Sequence, residues 1–175
     1  MNPWLFISFV VAVVLFIFSL GGGTVRERRH RRRRADAARV RNKLANGDFL
    51  PSQAFSYLRK INPYTFEELV LDGFERAGYR VKRNDSYSGD GGIDGRISKS
   101  GRRYLVQCKR YSGHISKRHV EEFSDVCRRK HAKGVFVHTG KTGKGSNDIA
   151  SEAGNVVIMS GEDMLELIGY VKHNY

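Results

Sequence analysis

Residues 1–25 carry no charged side chain, and from Trp4 to Leu20 the chain reads WLFISFVVAVVLFIFSL, polar only at Ser8 and Ser19. This run restricts the chain more than any other feature. Seventeen apolar residues is at the short end of what crosses a bilayer as a helix, and the glycines at 21–23 extend it. A cleaved signal peptide would place basic residues before a shorter apolar core. Here nothing basic precedes the run, and RERRHRRRR, seven Arg in nine residues, follows at 26–34. A buried core helix would show a polar face, and none is present. The expectation is one transmembrane anchor over residues 1–25. Lys and Arg clusters beside a span stay on the cytoplasmic side. That puts the N-terminus outside and the rest of the chain in the cytoplasm, at the inner membrane.

Charge is unevenly distributed. The net charge is +13, of which residues 24–43 supply +8 and residues 63–175 only +4. The arginine run therefore reads first as a topology signal resting on anionic lipid, and second as a non-specific DNA-binding arm. Residues 26–61 read as a basic juxtamembrane segment and helical linker, with short helices at 35–45 and 52–61 separated by Asn46, Gly47, Asp48 and Pro51. The two cysteines, Cys108 and Cys127, read as reduced core thiols. No Cys/His cluster offers a zinc site.

From residue 62 the signals alternate. Phe66, Leu69, Val70, Phe74 and Ala77 recur at helical spacing over 65–77, with Thr65 as cap and Gly78 as terminator. Strands are expected at 79–83, 92–98 and 102–109, the last two joined as a hairpin at Ser100 and Gly101. A helix at 116–131 follows, then a strand at 134–138, a short helix at 146–153, a strand at 155–159 and a helix at 162–171. The order α-β-β-β-α-β-α-β-α predicts an α/β domain over 62–175, with a mixed central sheet flanked by helices.

The chemistry gathers on the hairpin. Side chains alternate along a strand, so Gln107 and Lys109 share a face with Leu105, and Val106 and Cys108 take the other. A turn at 100–101 puts Asp94 nearly opposite Lys109. A carboxylate, an amide and an amine then meet at the open end of two strands. This set suits phosphodiester hydrolysis with Mg²⁺, a hard cation that takes oxygen ligands. Asp94 supplies a charged oxygen and the Cys108 backbone carbonyl a neutral one. Gln107 supplies another ligand or orients the attacking water. Lys109 positions that water and meets developing negative charge. Mn²⁺ is the expected substitute.

The stretches SGDGGIDG (88–95) and RYLVQCKRY (103–111) resemble the Mrr-type restriction endonuclease domain, a branch of the PD-(D/E)xK nucleases whose second acidic position is often Gln. The D…QxK pattern falls on Asp94, Gln107 and Lys109. FEELVLDGFERAGYRV (66–81) is similar to the helix that carries a family glutamate, with Glu67 the best match and Glu68 next. KGVFVHTGKTGKGSNDIASEAGNVVIMSGEDML (133–165) is similar to the closing strand–helix–strand. The resemblance spans about residues 60–170. It implies a restriction-endonuclease-like fold, double-stranded DNA as substrate and a divalent metal shared by Asp94, Gln107, Cys108 and Glu67. Most members with a restriction role carry a separate target-reading domain. Here a membrane helix is expected instead.

Competing readings bound these assignments. Asp90 is expected to be a turn aspartate. GVFVHTGKT at 134–142 fails the P-loop count, and 85–94 does not match a calcium loop, so no nucleotide cofactor is expected. Arg110, Tyr111, Lys117, Arg118, Lys141 and Lys144 are candidate DNA contacts, with Arg128, Arg129 and Lys130 behind them; solvated helix faces and a plain loop are the alternatives. Duplex cleavage by two sites makes a homodimer an expectation, with no interface identified. The function expected is a membrane-anchored, metal-dependent DNA endonuclease in defence against foreign DNA. The alternatives are a nuclease for junctions or RNA, and a non-catalytic nucleic-acid-binding module.

Overall fold

The computed structural model describes Trp4 and residues 25–47, 49–84 and 92–172. Two compact units result, Met1–Arg33 and Arg34–Tyr175. The first holds, in its described part, the opening turns of a helix on which Arg28, Arg29, Arg31 and Arg32 are exposed. The apolar run expected to span a membrane lies, Trp4 aside, outside the described residues. Among the described residues no helix is long and apolar enough to cross a membrane.

The elements follow in the order α1 (Val25–Asn46), α2 (Pro51–Lys60), α3 (Pro63–Arg76), β1 (Arg80–Arg83), β2 (Gly95–Lys99), β3 (Arg102–Lys109), α4 (Lys117–Arg129), β4 (Lys133–His138), α5 (Lys144–Ala153), β5 (Val156–Met159) and α6 (Gly161–Leu167). From α3 onward this is the expected order. The five strands lie side by side in sequence order. β1, β2 and β3 pair antiparallel, while β3, β4 and β5 pair parallel. The mixed sheet follows from the connections: a tight turn joins β2 to β3, whereas helical crossovers carry the chain to β4 and β5.

Period-two alternation divides the core. Val106, Cys108, Val135 and Val137 face α1, α2, α3 and α6. Leu105 and Phe136 face α4 and α5, with Phe123, Cys127 and Ala150. The segment read as a linker belongs to the first of these layers. Ala37, Val40, Leu44, Ala54 and Leu58 are all buried there. Ala37, Val40 and Leu44 recur at i, i+3 and i+7, which makes one apolar stripe on an otherwise arginine-rich helix.

Helix ends differ from expectation for local reasons. Asn62 caps α3, its Oδ1 accepting from Tyr64 N at 2.9 Å, and Thr65 is instead buried in the first turn. The other end of α3 closes as a Schellman motif, with Gly78 N donating to Glu75 O and Tyr79 N to Phe74 O. α6 stops at Leu167 rather than running to 171, because Gly169 takes φ +85° and Tyr170 N folds back to Leu165 O.

Candidate active site

Arg83 fixes α3 against β1. Its guanidinium meets Glu68 Oε2 at 2.8 Å, Glu75 Oε2 at 2.9 Å and the Asp72 carboxylate. Burial alone would lower the Arg83 pKa; the hydrogen bonds to Glu75 and Glu68 raise it instead. Glu68 is therefore held in a structural ion pair, which leaves Glu67 as the α3 carboxylate on the site side. One turn beyond Glu67, Leu71 packs on Gly95. A Cβ on Gly95 would stand 2.6 Å from Leu71 Cδ2. The glycine lets α3 approach the start of β2 closely and brings the Glu67 turn beside it.

Asp94 lies just before β2, not within it, and it does not sit opposite Lys109 as the hairpin spacing suggested. The β2–β3 register pairs Gly95 with Val106, and Asp94 N also donates to Val106 O at 2.8 Å. Two successive residues thus face one on β3, the pattern of a β-bulge, which re-aims a side chain. The Asp94 carboxylate turns to the edge of β3, where Oδ2 accepts from Cys108 N at 2.6 Å. In an extended strand a residue's N–H and C=O lie on the same edge. The Cys108 carbonyl therefore opens on the Asp94 side.

Burial raises the Asp94 carboxyl from 3.8 to about 6, with the Cys108 amide and the charge of Lys109 pulling it down. The Cys108 thiol is raised by burial and then by the charges of Asp94 and Glu67, against Lys109. Two carboxylates thus bear on this point with one ammonium to balance them. Gln107 is 6% exposed, and its Nε2 donates to Gly92 O at 2.7 Å. That commits the amide nitrogen and leaves the carbonyl oxygen to accept or ligate. Gly92 has φ +80°, and a Cβ there would overlap Gln107 Nε2. Only glycine satisfies both demands.

A donor set of two carboxylate groups, an amide oxygen and a backbone carbonyl fits a hard divalent cation. Among the described residues no three His, Cys, Asp or Glu side chains are grouped to hold a metal. An ion here would draw on the two neutral oxygens and on water.

Three supports escaped the sequence reading. Asn84, 8% exposed, donates from Nδ2 to Ile93 O and accepts from Arg96 Nη1 at 2.8 Å, pinning the backbone beside Asp94. Thr139 Oγ1 accepts from Tyr111 N at 3.0 Å and donates to Tyr111 O at 3.1 Å, which joins the loops after β3 and β4. His138, the β4 partner of Lys109, is fully buried and lowered to about 4 by that burial. Its Nδ1 accepts from Gly140 N at 3.1 Å, so its Nε2 bears the proton toward Thr142 Oγ1 at 3.0 Å. A buried Asn after a strand and a polar pair closing an apolar strand are the only sequence signals these residues leave.

The candidate DNA contacts divide. Arg110 is not available, since its Nη1 donates to Arg59 O at 2.8 Å and to Ile61 O, tying β3 to the end of α2. Arg59 in turn donates from Nη2 to Thr139 O at 2.6 Å. Arg118 pairs with Glu122 at 2.7 Å along α4. The Tyr111 hydroxyl meets His119 Nδ1. Lys117, Lys141 and Lys144 are exposed. They are grouped by the His114–Lys141 bridge and by the approach of Lys117 to Gly145.

A mixed sheet that presents an acid, an amide and a lysine at the junction of its antiparallel and parallel halves defines a nuclease domain of the restriction-endonuclease type. Comparison with known proteins agrees. Residues 58–168 match the family Mrr_cat, restriction endonuclease, and the chain belongs to that family. It is 32% identical over 129 residues to the type IV methyl-directed restriction enzyme EcoKMrr of Escherichia coli strain K12; the match covers 69% of this chain and 42% of that protein. Among solved structures, AF1548, a protein of unknown function, aligns with a TM-score of 0.42 at 20% identity, covering 57% of this chain and 64% of that one. SfsA of Pyrococcus furiosus, in complex with Ca²⁺, aligns with a TM-score of 0.40 at 18% identity, covering 60% and 56%. Neither score reaches the level at which a shared fold follows.

Proposed function

We propose that this chain is a divalent-metal-dependent DNA endonuclease acting in restriction of foreign DNA, with Asp94, Gln107, Lys109 and Glu67 as its catalytic set. The observation that carries the reading is the Asp94 carboxylate clasped to the Cys108 amide, underneutralised, beside Gln107 and within the field of Lys109. Asp94, Gln107 Oε1, the Cys108 carbonyl and Glu67 would hold Mg²⁺, with Mn²⁺ as substitute. Such an ion supplies charge neutralisation at the phosphate and lowers the pKa of a water. Lys109 orients the attacking water and meets the negative charge that grows on the phosphate. Lys117, Lys141 and Lys144 hold phosphates on either side of the cut, where backbone contacts set register.

The apolar run ending at Leu20 anchors the enzyme in the inner membrane, with the nuclease domain in the cytoplasm, where entering DNA passes. A homodimer would place one site on each strand. The name of the Escherichia coli relative makes methylated DNA the first substrate to try. The test incubates the chain with methylated and unmethylated supercoiled plasmid in Mg²⁺ or Mn²⁺. EDTA-sensitive nicking or linearisation is expected, and binding without cleavage under every condition would refute the nuclease reading. Recovery in the membrane fraction is expected on cell lysis, and a wholly soluble protein would refute the anchor.

A further inference from the structure

A further group of exposed positive charge in the unit Arg34–Tyr175 is not beside Asp94. It lies at the other end of the hairpin. A cleft of about 690 Å³ between the start of β3, the end of α4 and the start of β4 is lined by Arg102, Arg103, Arg128 and Lys133, with Tyr104 and His131. A neighbouring cleft of about 670 Å³ shares Arg103 and adds Arg80 and Lys99. No carboxylate lines either cleft. The charge is only partly neutralised nearby. Arg128 meets Asp125 at 2.8 Å in an exposed pair, which solvent leaves weak. Lys99 donates to Ala77 O at 2.7 Å and so is committed to the fold. Arg102, Arg103 and Lys133 are exposed.

Seven residue steps of β3 separate Arg102 from Lys109, about 23 Å at strand rise. That exceeds the roughly 12 Å width of a major groove. Phosphates held at the hairpin end are therefore not those beside the bond that is cut.

We propose that these paired clefts form a second, non-catalytic site for a nucleic-acid phosphate backbone, taking a segment of duplex remote from the cleavage point. This rests on the reading of the chain as a DNA enzyme. Guanidinium groups suit phosphate because their planar fork bonds two oxygens at once. Their recess between strand and helix, with an aromatic ring in the wall, fits a ridged backbone better than a flat lipid surface. Holding a second segment loops or bridges DNA and raises the local concentration of substrate at the active site.

The test uses the full chain in EDTA, so that binding is read without turnover. Binding to a duplex several helical turns long is measured across a salt series for the parent and for R102A/R103A/R128A/K133A, with Arg110→Ala, whose guanidinium is committed to the Arg59 and Ile61 carbonyls, as control. Equal circular dichroism melts establish that the variant folds. Each phosphate contact contributes about 0.9 to the slope of log K against log salt. The quadruple variant is expected to flatten that slope by up to about 3.6, and Arg110→Ala to leave it. In a separate assay with Mg²⁺ restored, cleavage of a duplex long enough only for the active site should persist in the variant, while in EDTA the long duplex loses affinity. An unchanged slope overturns the second site even if the parent cuts DNA. So does loss of binding to a soluble short-chain phosphatidylserine by the variant while duplex binding is intact, which would assign the clefts to lipid. A parent that binds and never cuts refutes the nuclease reading alone, because the slope is read without cleavage.

Discussion

Replacing Asp94 with Asn is expected to stabilise the metal-free protein. The carboxyl stands at about 6 in the fold against an ordinary 3.8, chiefly through burial. The folded state therefore holds this proton more tightly than the unfolded chain. Stability attributable to the group is greatest below 3.8 and falls as pH rises to about 6, above which the loss is complete. At 1.36 kcal/mol per pH unit the full loss is about 3 kcal/mol. Asn removes the charge and keeps an oxygen to accept from Cys108 N. At pH 8 Asp94→Asn should be more stable by about 1–3 kcal/mol, or roughly 3–10 °C in Tm for a domain of this size. At pH 4 the difference should vanish. Mg²⁺ or Mn²⁺ should then raise the parent's Tm by mass action and leave the variant's unchanged. Calorimetry or fluorescence melting with and without metal reads all three. A variant less stable than the parent at pH 8, or an equal metal shift in both proteins, would refute the claim that Asp94 is an underneutralised cation ligand.

Leu44→Ala should destabilise by about 2–5 kcal/mol in urea unfolding, since Leu44 is fully buried in the main core; truncation at residue 50 also removes Ala37 and Val40 and should leave a chain that melts early or not cooperatively. Gly92→Ala should lower cleavage steeply and also cost about 1 kcal/mol or more of stability, because the added methyl displaces the Gln107 amide at a φ of +80°; parent-like kcat in the folded variant would count against a role for Gln107. Arg110→Ala should weaken the fold by loosening α2, while the salt dependence of DNA binding stays at the parent value.

The alternation of helix and strand from residue 63 was legible because helical spacing along 65–77 gives way to short strand segments bounded by turn residues, with GVFVH a continuous apolar run of buried-strand type. The D…QxK spacing likewise picked out residues that the fold brings together, with Asp94 on the Cys108 amide beside Gln107. Its geometry was less legible. The hairpin register, Lys99 with Arg102 through Gly95 with Val106, carries Asp94 toward Gln107 rather than Lys109, and the bulge then turns its carboxylate to the Cys108 amide; a single shared partner leaves no mark in composition. Arg110 read as a phosphate contact because an arginine beside the candidate Lys109 is chemically suited to one. Its actual partners, the carbonyls of Arg59 and Ile61, lie 51 and 49 residues away in the chain. The arginine content of α1 hid its apolar stripe. Ala37, Val40 and Leu44 carry the helical spacing, and the charge around them drew the reading toward a linker.

The most direct test of the central claim is the single-turnover rate of duplex cleavage by the parent, Asp94→Ala and Lys109→Ala, each of verified fold, in saturating Mg²⁺. Loss of a donor that meets developing charge typically lowers the rate about 10²–10³-fold. Lys109→Ala should fall by that much, and Asp94→Ala at least as far. Both variants cutting at the parent rate would mean that the chemistry lies elsewhere on the molecule.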